Sequence, residues 1–419
     1  MLWRWLWSEA LSALRFYRRR TLVTTASLAW GVACFVILIS YGEGFGRALD
    51  TAFRAVGQDL IIMAEGQTSL QAGGLRAGRR VRLELDDVER IRSAVPAVRW
   101  VSPEMLRRNA TVVRGTREKS YTLRGVWPEY QWIRNMRIVA GRWINAEDVS
   151  RRHRVAVLGA TVARELFSGI PPVGEEITVD GLRFTVVGVL ETKGQIANYN
   201  RPDNQCIFLP YEVMALYGDI RHPSFIVWTP VSPQVREQAI RSVRATLAAA
   251  HRFAAADEKA VFILAFNQFL HLVEAMTLAV KLLLGFVGTL TLGIGGVGLA
   301  NIMLATVIER TREVGVLKAL GGRRRLIWGQ FLLEALLVVA AGGLAGIGAG
   351  AALVRAVGSL PLLGALFEDA PEAGNLQLTL SGTSVLVSVG LLGLVGLLAG
   401  VVPAIRAARL DPVEALRYE

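Results

Sequence analysis

Residues 282–325 read LLLGFVGTLTLGIGGVGLANIMLATVIERTREVGVLKALGGRRR: an uncharged apolar run over 282–305 passes directly into a charged stretch compatible with a helix. A bilayer core of about 30 Å is crossed by roughly 20 apolar residues of helix. The first part therefore reads as a membrane span, broken in polarity only by Asn301. Three more runs have the same character: 22–41 without a charged residue, 329–353 containing Glu334, and 384–405, ending near Pro403. A carboxylate at mid-membrane costs about 3 kcal/mol, against a few tenths gained per apolar residue, so the third run survives Glu334. That residue is expected to be a boundary or packing carboxylate. The first run is longer than the apolar core of a signal peptide and no A-x-A site follows it, so it reads as a retained span.

The whole chain is compatible with a membrane part joined to a water-soluble part. Of 419 residues, 52% are hydrophobic, and the mean hydropathy is +0.39. Lys and Arg number 47 against 35 Asp and Glu, a net charge of +12. Placement explains that excess better than nucleic-acid binding does. Residues 1–21 hold five arginines and one glutamate, 306–327 hold six basic residues and two acids, and the tail holds Arg406, Arg409 and Arg417. By contrast, 354–383 holds one arginine and three acids. Short basic flanks stay in the cytoplasm, which predicts both termini and 306–327 inside and 43–275 outside. The expected order is an N-terminal segment 1–21, helix 22–42, extracytoplasmic domain 43–275, helix 276–305, loop 306–327, helix 328–354, outer loop 355–383, helix 384–405 and tail 406–419.

Several chemistries are excluded or weakened. Gly293, Gly295 and Gly298 spell GxGxxG inside an apolar helix rather than between a strand and a helix, so a dinucleotide site is rejected. No GxxxxGK[ST] occurs, so no ATP site of that kind is expected in this chain. Cys34 and Cys206 lie in unlike surroundings, no metal-ligand spacing is present, and the four histidines are scattered without acidic partners in sequence. No catalytic residues, metal or cofactor are expected. Gly342, Gly346 and Gly350, like Gly396 and Gly400, recur every four residues and predict close helix packing.

Residues 43–275 read as α+β. Apolar alternation on both sides of Asp180-Gly181 is a hairpin signal. Further strands are expected at 59–63, 110–113, 121–126, 154–158, 205–209 and 225–228, and helices at 86–95, 161–167 and 233–251. Asp86 and Glu89 would form a capping box, 67–80 would be a mobile loop, and 260–281 would be a helix running into the second span. Residues 306–320 would form one amphipathic helix with Val307, Val314 and Leu317 on its apolar face, steadied by Glu309–Arg312 pairing and closed by Gly321-Gly322.

Two stretches resemble a known family. Asn301-Ile302-Met303-Leu304 is followed by Glu309-Arg310-Thr311-Arg312-Glu313-Val314-Gly315 and by Leu317-Lys318-Ala319-Leu320-Gly321, and residues 403–416 read PAIRAARLDPVEAL. Both resemble the permease part of MacB-type and FtsX-like ABC transporters, and Pro172-Val173-Gly174 with FTVVGV at 184–189 is similar to that family's extracytoplasmic domain. The resemblance implies an α-helical membrane protein with four transmembrane helices and an α+β extracytoplasmic domain inserted between helices 1 and 2, in a bacterial cytoplasmic (inner) membrane. It implies that Glu309, Arg310, Thr311, Arg312, Glu313, Val314, Gly315, Lys318 and Gly321 couple to an ATPase. Implied partners are an ABC ATPase subunit, which would bind the ATP, a second copy of the chain, membrane lipid, and a periplasmic adaptor with an outer-membrane channel. The macrolide exporter itself carries a fused ATPase ahead of its first span. This chain starts about 20 residues before its own, so a separate ATPase subunit is expected. Gly321-Gly322 replaces the family's usual Gly-Ala, read here as a minor change. Functions implied are efflux or export of antibiotics, peptides or lipids; FtsX-like control of a cell-wall hydrolase and lipoprotein release are the alternatives.

The orientation is directly testable. A membrane-impermeant thiol reagent applied to spheroplasts should label Ser120→Cys and leave Arg323→Cys unlabelled; labelling at 323 from outside would reverse the assignment.

Overall fold

The computed structural model describes residues 7–417 except 8, 11, 13, 55–56, 58, 73, 196–198, 362–363 and 365–374. The part of the expected outer loop 355–383 that holds its three acids lies outside the described residues, as does the start of segment 1–21. In chain order the elements are α1 (Arg18–Arg54), β1 (Ile61–Gln67), β2 (Arg80–Val81), α2 (Leu85–Ala94), β3 (Val98–Arg114), β4 (Arg117–Val126), α3 (Tyr130–Ile133), β5 (Ile138–Gly141), α4 (Ala146–Ser150), β6 (Val155–Leu158), α5 (Ala160–Phe167), β7 (Glu176–Val179) and β8 (Leu182–Leu190). They continue as β9 (Cys206–Pro210), β10 (Phe225–Pro230), α6 (Arg236–His251), β11 (Val261–Ala265), α7 (Asn267–Glu309), α8 (Thr311–Ala319), α9 (Arg324–Val357), β12 (Ser359–Leu360), β13 (Leu376–Gln377), α10 (Gly382–Arg409) and α11 (Pro412–Arg417). Two compact units result: Met1–Arg47 with Glu274–Leu360 and Leu376–Glu419, and Ala48–Val273 with Pro361–Asn375.

The first unit is helical. Four stretches, Arg18–Thr51, Leu270–Glu309, Arg324–Val357 and Gly382–Arg409, are long and apolar enough to cross a membrane. At 1.5 Å per residue the shortest, of 28 residues, is about 42 Å long, more than a bilayer core requires. The last of them does not end near Pro403: Pro403 lies inside α10, which runs on to Arg409. A proline costs one backbone hydrogen bond, and neighbouring helices in a membrane bundle tolerate it. Small residues set the packing. A Cβ on Gly346 would lie 2.5 Å from the Ala29 carbonyl oxygen, one on Gly342 would lie 2.9 Å from Leu28 Cβ, and one on Gly350 would lie 3.0 Å from Val36. Gly396 and Gly400 of α10 lie as closely against Val339 and Ala335 of α9. Around these contacts Leu28, Val32, Leu292, Phe331, Val338 and Leu392 form the shared core.

The second unit is α+β. Its sheet runs β11-β1-β10-β3-β4-β9-β6-β8-β5, with β7 paired to β3 and β8. Both faces of the sheet's middle are covered, which explains why its strands are apolar at consecutive positions. In β9, Ile207 and Leu209 pack with α5, while Cys206 and Phe208 enter the opposite cluster around Tyr130 and Trp143. In β1, Ile61 and Met63 pack with α2 and α6, while Ile62 faces the other way. The Asp180-Gly181 hairpin forms as the two-residue signal predicts, with Val179 opposite Leu182 and both turn residues at positive φ.

Three local expectations need correction. Residues 260–281 are not one helix: Val261–Ala265 is strand β11, paired with β1, and α7 starts at Asn267. A short apolar run satisfies either period, and here the open side of β1 decided the matter. Helix α2 starts one residue early, and it is the Asp87 carboxylate that accepts the Glu84 N–H, at 2.8 Å, in place of the Asp86 and Glu89 box. The 67–80 segment is anchored, because Asp257 accepts the backbone N–H groups of Ser69 and Leu70 at 2.6 and 2.8 Å.

The glycine contacts predict an asymmetry. Gly346→Ala should destabilise the helical unit by about 1–3 kcal/mol, the usual cost of overpacking, whereas Gly348→Ala, which meets nothing within 4 Å, should leave the detergent melting curve nearly unchanged. Equal effects would discount the α1–α9 contact.

Candidate functional site

The charged stretch that follows the second long helix does not form the single helix expected over 306–320. It breaks at Arg310 (φ −95°, ψ 14°), between α7 and α8. The cause is an inward-turned side chain. Arg310 Nη1 donates to Glu334 Oε1 of α9 at 2.9 Å, its Nε donates to Glu313 Oε2 at 2.9 Å, and the guanidinium lies 5.5 Å over the Phe331 ring. The Arg310 side chain is 8% exposed and that of Glu334 3%. Thr311 reinforces the corner by donating its hydroxyl to the carbonyls of Val307 and Ile308. Glu334 is thus a packing carboxylate whose charge is matched by Arg310, and the cavity beside it, about 30 Å³ and bordered by Tyr17, Thr24 and Thr306, has room for one or two waters.

The other end of α8 is held as firmly. Lys318 Nζ donates to the carbonyls of Ala408 and Leu410, at the C-terminal end of α10, where free carbonyls and the helix dipole favour a cation. Gly315 lies against Ala415 of α11; a Cβ there would come within 2.8 Å of the alanine's own. Gly321 has φ +89°, and Gly322 donates its N–H to Leu317 O at 2.9 Å. A Cβ on Gly322 would sit 2.6 Å from that oxygen, so alanine is not an equivalent residue at this backbone position.

The expected site residues therefore divide. Arg310, Thr311 and Val314 are buried and join α8 to the bundle, Gly315 and Lys318 join it to α10 and α11, and Gly321 ends it. Glu309 pairs with Arg20 of α1 at 2.7 Å instead of with Arg312. Arg312 and Glu313 are exposed. Sequence reading overlooked Val316 and Leu320, which are 44% and 81% exposed. With Arg312 they form a row at intervals of four, so an apolar strip with charged neighbours faces away from the bundle. The signal was present, since a helix whose apolar face is already filled by Val307 and Val314 has no inward place for Leu320.

The α+β unit holds a second dense cluster of charge. Asp203, Arg124 and Arg134 are fully buried, and Asp203 accepts from Arg134 at 2.8 and 2.9 Å, from Arg124 at 3.0 Å and from Lys193 at 3.2 Å. Burial would raise the Asp203 carboxyl, but Arg134, Lys193 and Arg124 hold it far below the usual carboxylate range. Burial pushes Lys193 down to about 8 despite Asp203, and pushes the Cys206 thiol up to about 11, which makes it a poor nucleophile. Two histidines have acidic partners that the sequence did not reveal: His251 Nε2 lies 2.8 Å from Asp87 and His153 Nδ1 lies 3.2 Å from Asp148. Asp203, Arg124 and Arg134 have no access to solvent and Lys193 very little, so the arrangement fits a lock that holds Lys193 and Asp203 in place rather than a reaction centre. Among the described residues no group of His, Cys, Asp or Glu is placed to hold a metal.

Long apolar helices, a short charged helix clamped between two of them, and a separate α+β unit define a multi-pass membrane permease. Residues 21–246 match the MacB-like periplasmic core domain and residues 285–412 the FtsX-like permease C-terminal domain, so the chain belongs to the MacB-type, FtsX-like family of ABC transporter permeases. Relatives include the macrolide export ATP-binding/permease protein MacB of Bdellovibrio bacteriovorus, 30% identical over 401 residues, covering 93% of this chain and 58% of that protein. The same-named protein of Rhodospirillum rubrum is 33% identical over 406 residues, covering 96% of this chain and 58% of its own. The chain thus spans less than two thirds of the length of the relatives it matches. Among solved structures, the periplasmic region of MacB from Actinobacillus actinomycetemcomitans covers 54% of this chain and 98% of its own, with a TM-score of 0.41 and 18% identity.

The Arg310–Glu334 pair makes a quantitative prediction. Removing one partner of a buried pair costs about 3–5 kcal/mol, while replacing both with apolar residues is often near neutral. Glu334→Leu or Arg310→Met alone should therefore lower the melting temperature much more than the double variant does; additive losses in this cycle would deny the pairing.

Proposed function

We propose that this chain is the permease of a MacB-like ABC transporter and that α8 is its coupling helix. It works with an ABC ATPase and with a second copy of itself, in a bacterial inner membrane, with both termini and α8 on the cytoplasmic side and the α+β unit outside. The observation that carries this reading is the mounting of α8. One end is fixed to α9 by Arg310 and Glu334, the other to α10 and α11 by Lys318 and Gly315, while Val316 and Leu320 remain uncovered. A helix held in this way moves only with the spans to which it is fixed, and its apolar strip suits a groove on an ATPase.

ATP-driven closure of two ATPase units would push on α8, and the rigid spans would carry that displacement to the α+β unit. The spans are suited to leverage rather than to forming a channel. Asn301 faces outward from α7, Glu334 is occupied by Arg310, and the glycines pack helix against helix. A polar substrate has no continuous lining to follow in such a bundle. Substrate would instead be taken up at the α+β unit or from the outer leaflet and exported onward through an adaptor and an outer-membrane channel. Macrolide export, the activity in the relatives' name, is one candidate cargo class, with peptides and lipids the others.

Glu313→Lys is a poor probe of coupling, since Glu313 also accepts from Arg310. Leu320→Asp is cleaner. In nanodiscs containing the ATPase, spin labels at residue 120 of the two copies should change separation on adding ATP and vanadate, and Leu320→Asp should abolish the change while leaving the melting curve intact. A wild-type distance indifferent to ATP would refute the transmission of motion.

A further inference from the structure

Strands β4 and β9 run parallel, and their pairing begins at Thr122 opposite Cys206. Before Cys206 the chain turns through Asp203–Gln205 as a single 3-10 turn. The first residues of β4, 117–120, therefore pair with β3 on one side and, among the described residues, have no strand on the other. An edge of this kind presents a row of N–H and C=O groups ready for another chain. Alongside it lies a cavity of about 380 Å³, bounded by Lys119, Ser120 and Tyr121 of β4, by Glu165 of α5, and by Arg201 and Gln205. Side chains alternate between the two faces of a strand. A space lined by three consecutive β4 residues therefore runs beside the strand, in line with β9, rather than over one face.

The chemistry of the walls selects the occupant. Glu165 is internally satisfied, since its two oxygens accept from Lys119 at 2.8 Å and from the Tyr121 hydroxyl at 2.7 Å. Arg201 reaches Gln205 Oε1 at 3.5 Å and is otherwise exposed, and Arg117 donates to Ser168 Oγ and to the Leu166 carbonyl. Of the charged residues that bound the slot, Lys119 and Glu165 match each other and Arg201 meets no carboxylate in these contacts, so its walls carry one unmatched positive charge. Its lining is hydroxyl, amide and charge, which suits neither an apolar drug nor an acyl chain.

We propose that this slot receives an extended acidic segment of a partner protein, which adds a strand to the free edge of β4 and sets a carboxylate against Arg201. Main-chain hydrogen bonds would supply the affinity and Arg201 the selectivity, as in other strand-addition complexes. This binding is independent of ATP and of the coupling role of α8, so its failure would leave that role untouched.

The test uses the full chain in nanodiscs without nucleotide. A displayed library of random heptapeptides is selected on it and counter-selected on the Arg201→Glu variant. Recovered peptides should alternate β-branched with Asp or Glu residues. They should lose at least tenfold in affinity with Arg201→Gln, lose binding when alternate backbone amides are N-methylated, and slow amide exchange at 117–120. An unchanged melting curve for both Arg201 variants separates charge from folding. Peptides that tolerate N-methylation but need Arg201 would mean an anion site only, and would overturn strand addition. A library that yields no Arg201-dependent binder would overturn the proposal outright.

Discussion

Hydrocarbon offers a peptide group no hydrogen-bond partner, so every segment that crosses it has to satisfy its own backbone. The rest of this molecule follows from that constraint. It accounts for four helices that overshoot the bilayer core and for irregular chain confined to places beyond it. It also explains why the bundle is assembled through glycine contacts: lipid is as apolar as leucine, so burial alone gives helices little reason to associate, and close backbone approach at Gly342, Gly346, Gly396 and Gly400 provides dispersion contacts instead. Under the same constraint, Glu334 is tolerable only with Arg310 in reach, and Arg310 comes within reach only because α7 stops at Glu309. The break in the helix and the buried charge are two aspects of one solution.

Legibility from sequence followed interaction range. The spans were readable because membrane burial acts on every residue of a run at once. The Asp180-Gly181 hairpin was readable because a two-residue turn imposes positive φ locally. What escaped was set by partners far away in sequence. Strand β11 exists because β1 had an open side about 200 residues earlier, and Asp257 stills the 67–80 segment from a similar distance. At the candidate site, the charged motif over 309–318 was visible as a motif, yet its division into inward and outward residues was not. Nothing in the order Glu-Arg-Thr-Arg-Glu says which arginine meets Glu334; only the packing of α9 beside the corner decides that.

The α+β unit handles charge in the opposite way to the bundle. Around Asp203 it buries three cations and a carboxylate together, with Glu104 near Arg124 at 3.6 Å. Such clusters seldom add much net stability, because desolvation offsets most of the attraction. They are specific, however: Arg124, Arg134, Lys193 and Gln195 meet Asp203 in only one arrangement of the chain segment that carries Asp203. That segment leads into β9, whose alternating side chains enter cores on both faces of the sheet, so an error in its placement would be felt throughout the unit.

The exit from α8 has an evolutionary consequence. Gly321 needs a left-handed backbone and Gly322 has no room for a methyl group, so the few residues between α8 and α9 form a rigid corner rather than a tether. Most loops accept added or deleted residues freely. Here one extra residue would rotate α8 by roughly 100° about its axis relative to α9, given 3.6 residues per turn, and would swing Leu320 away from any surface it had been facing. Descendants of this chain should therefore vary in the identity of residues along the exposed row of α8 but keep the spacing from Arg310 to Glu334 unchanged.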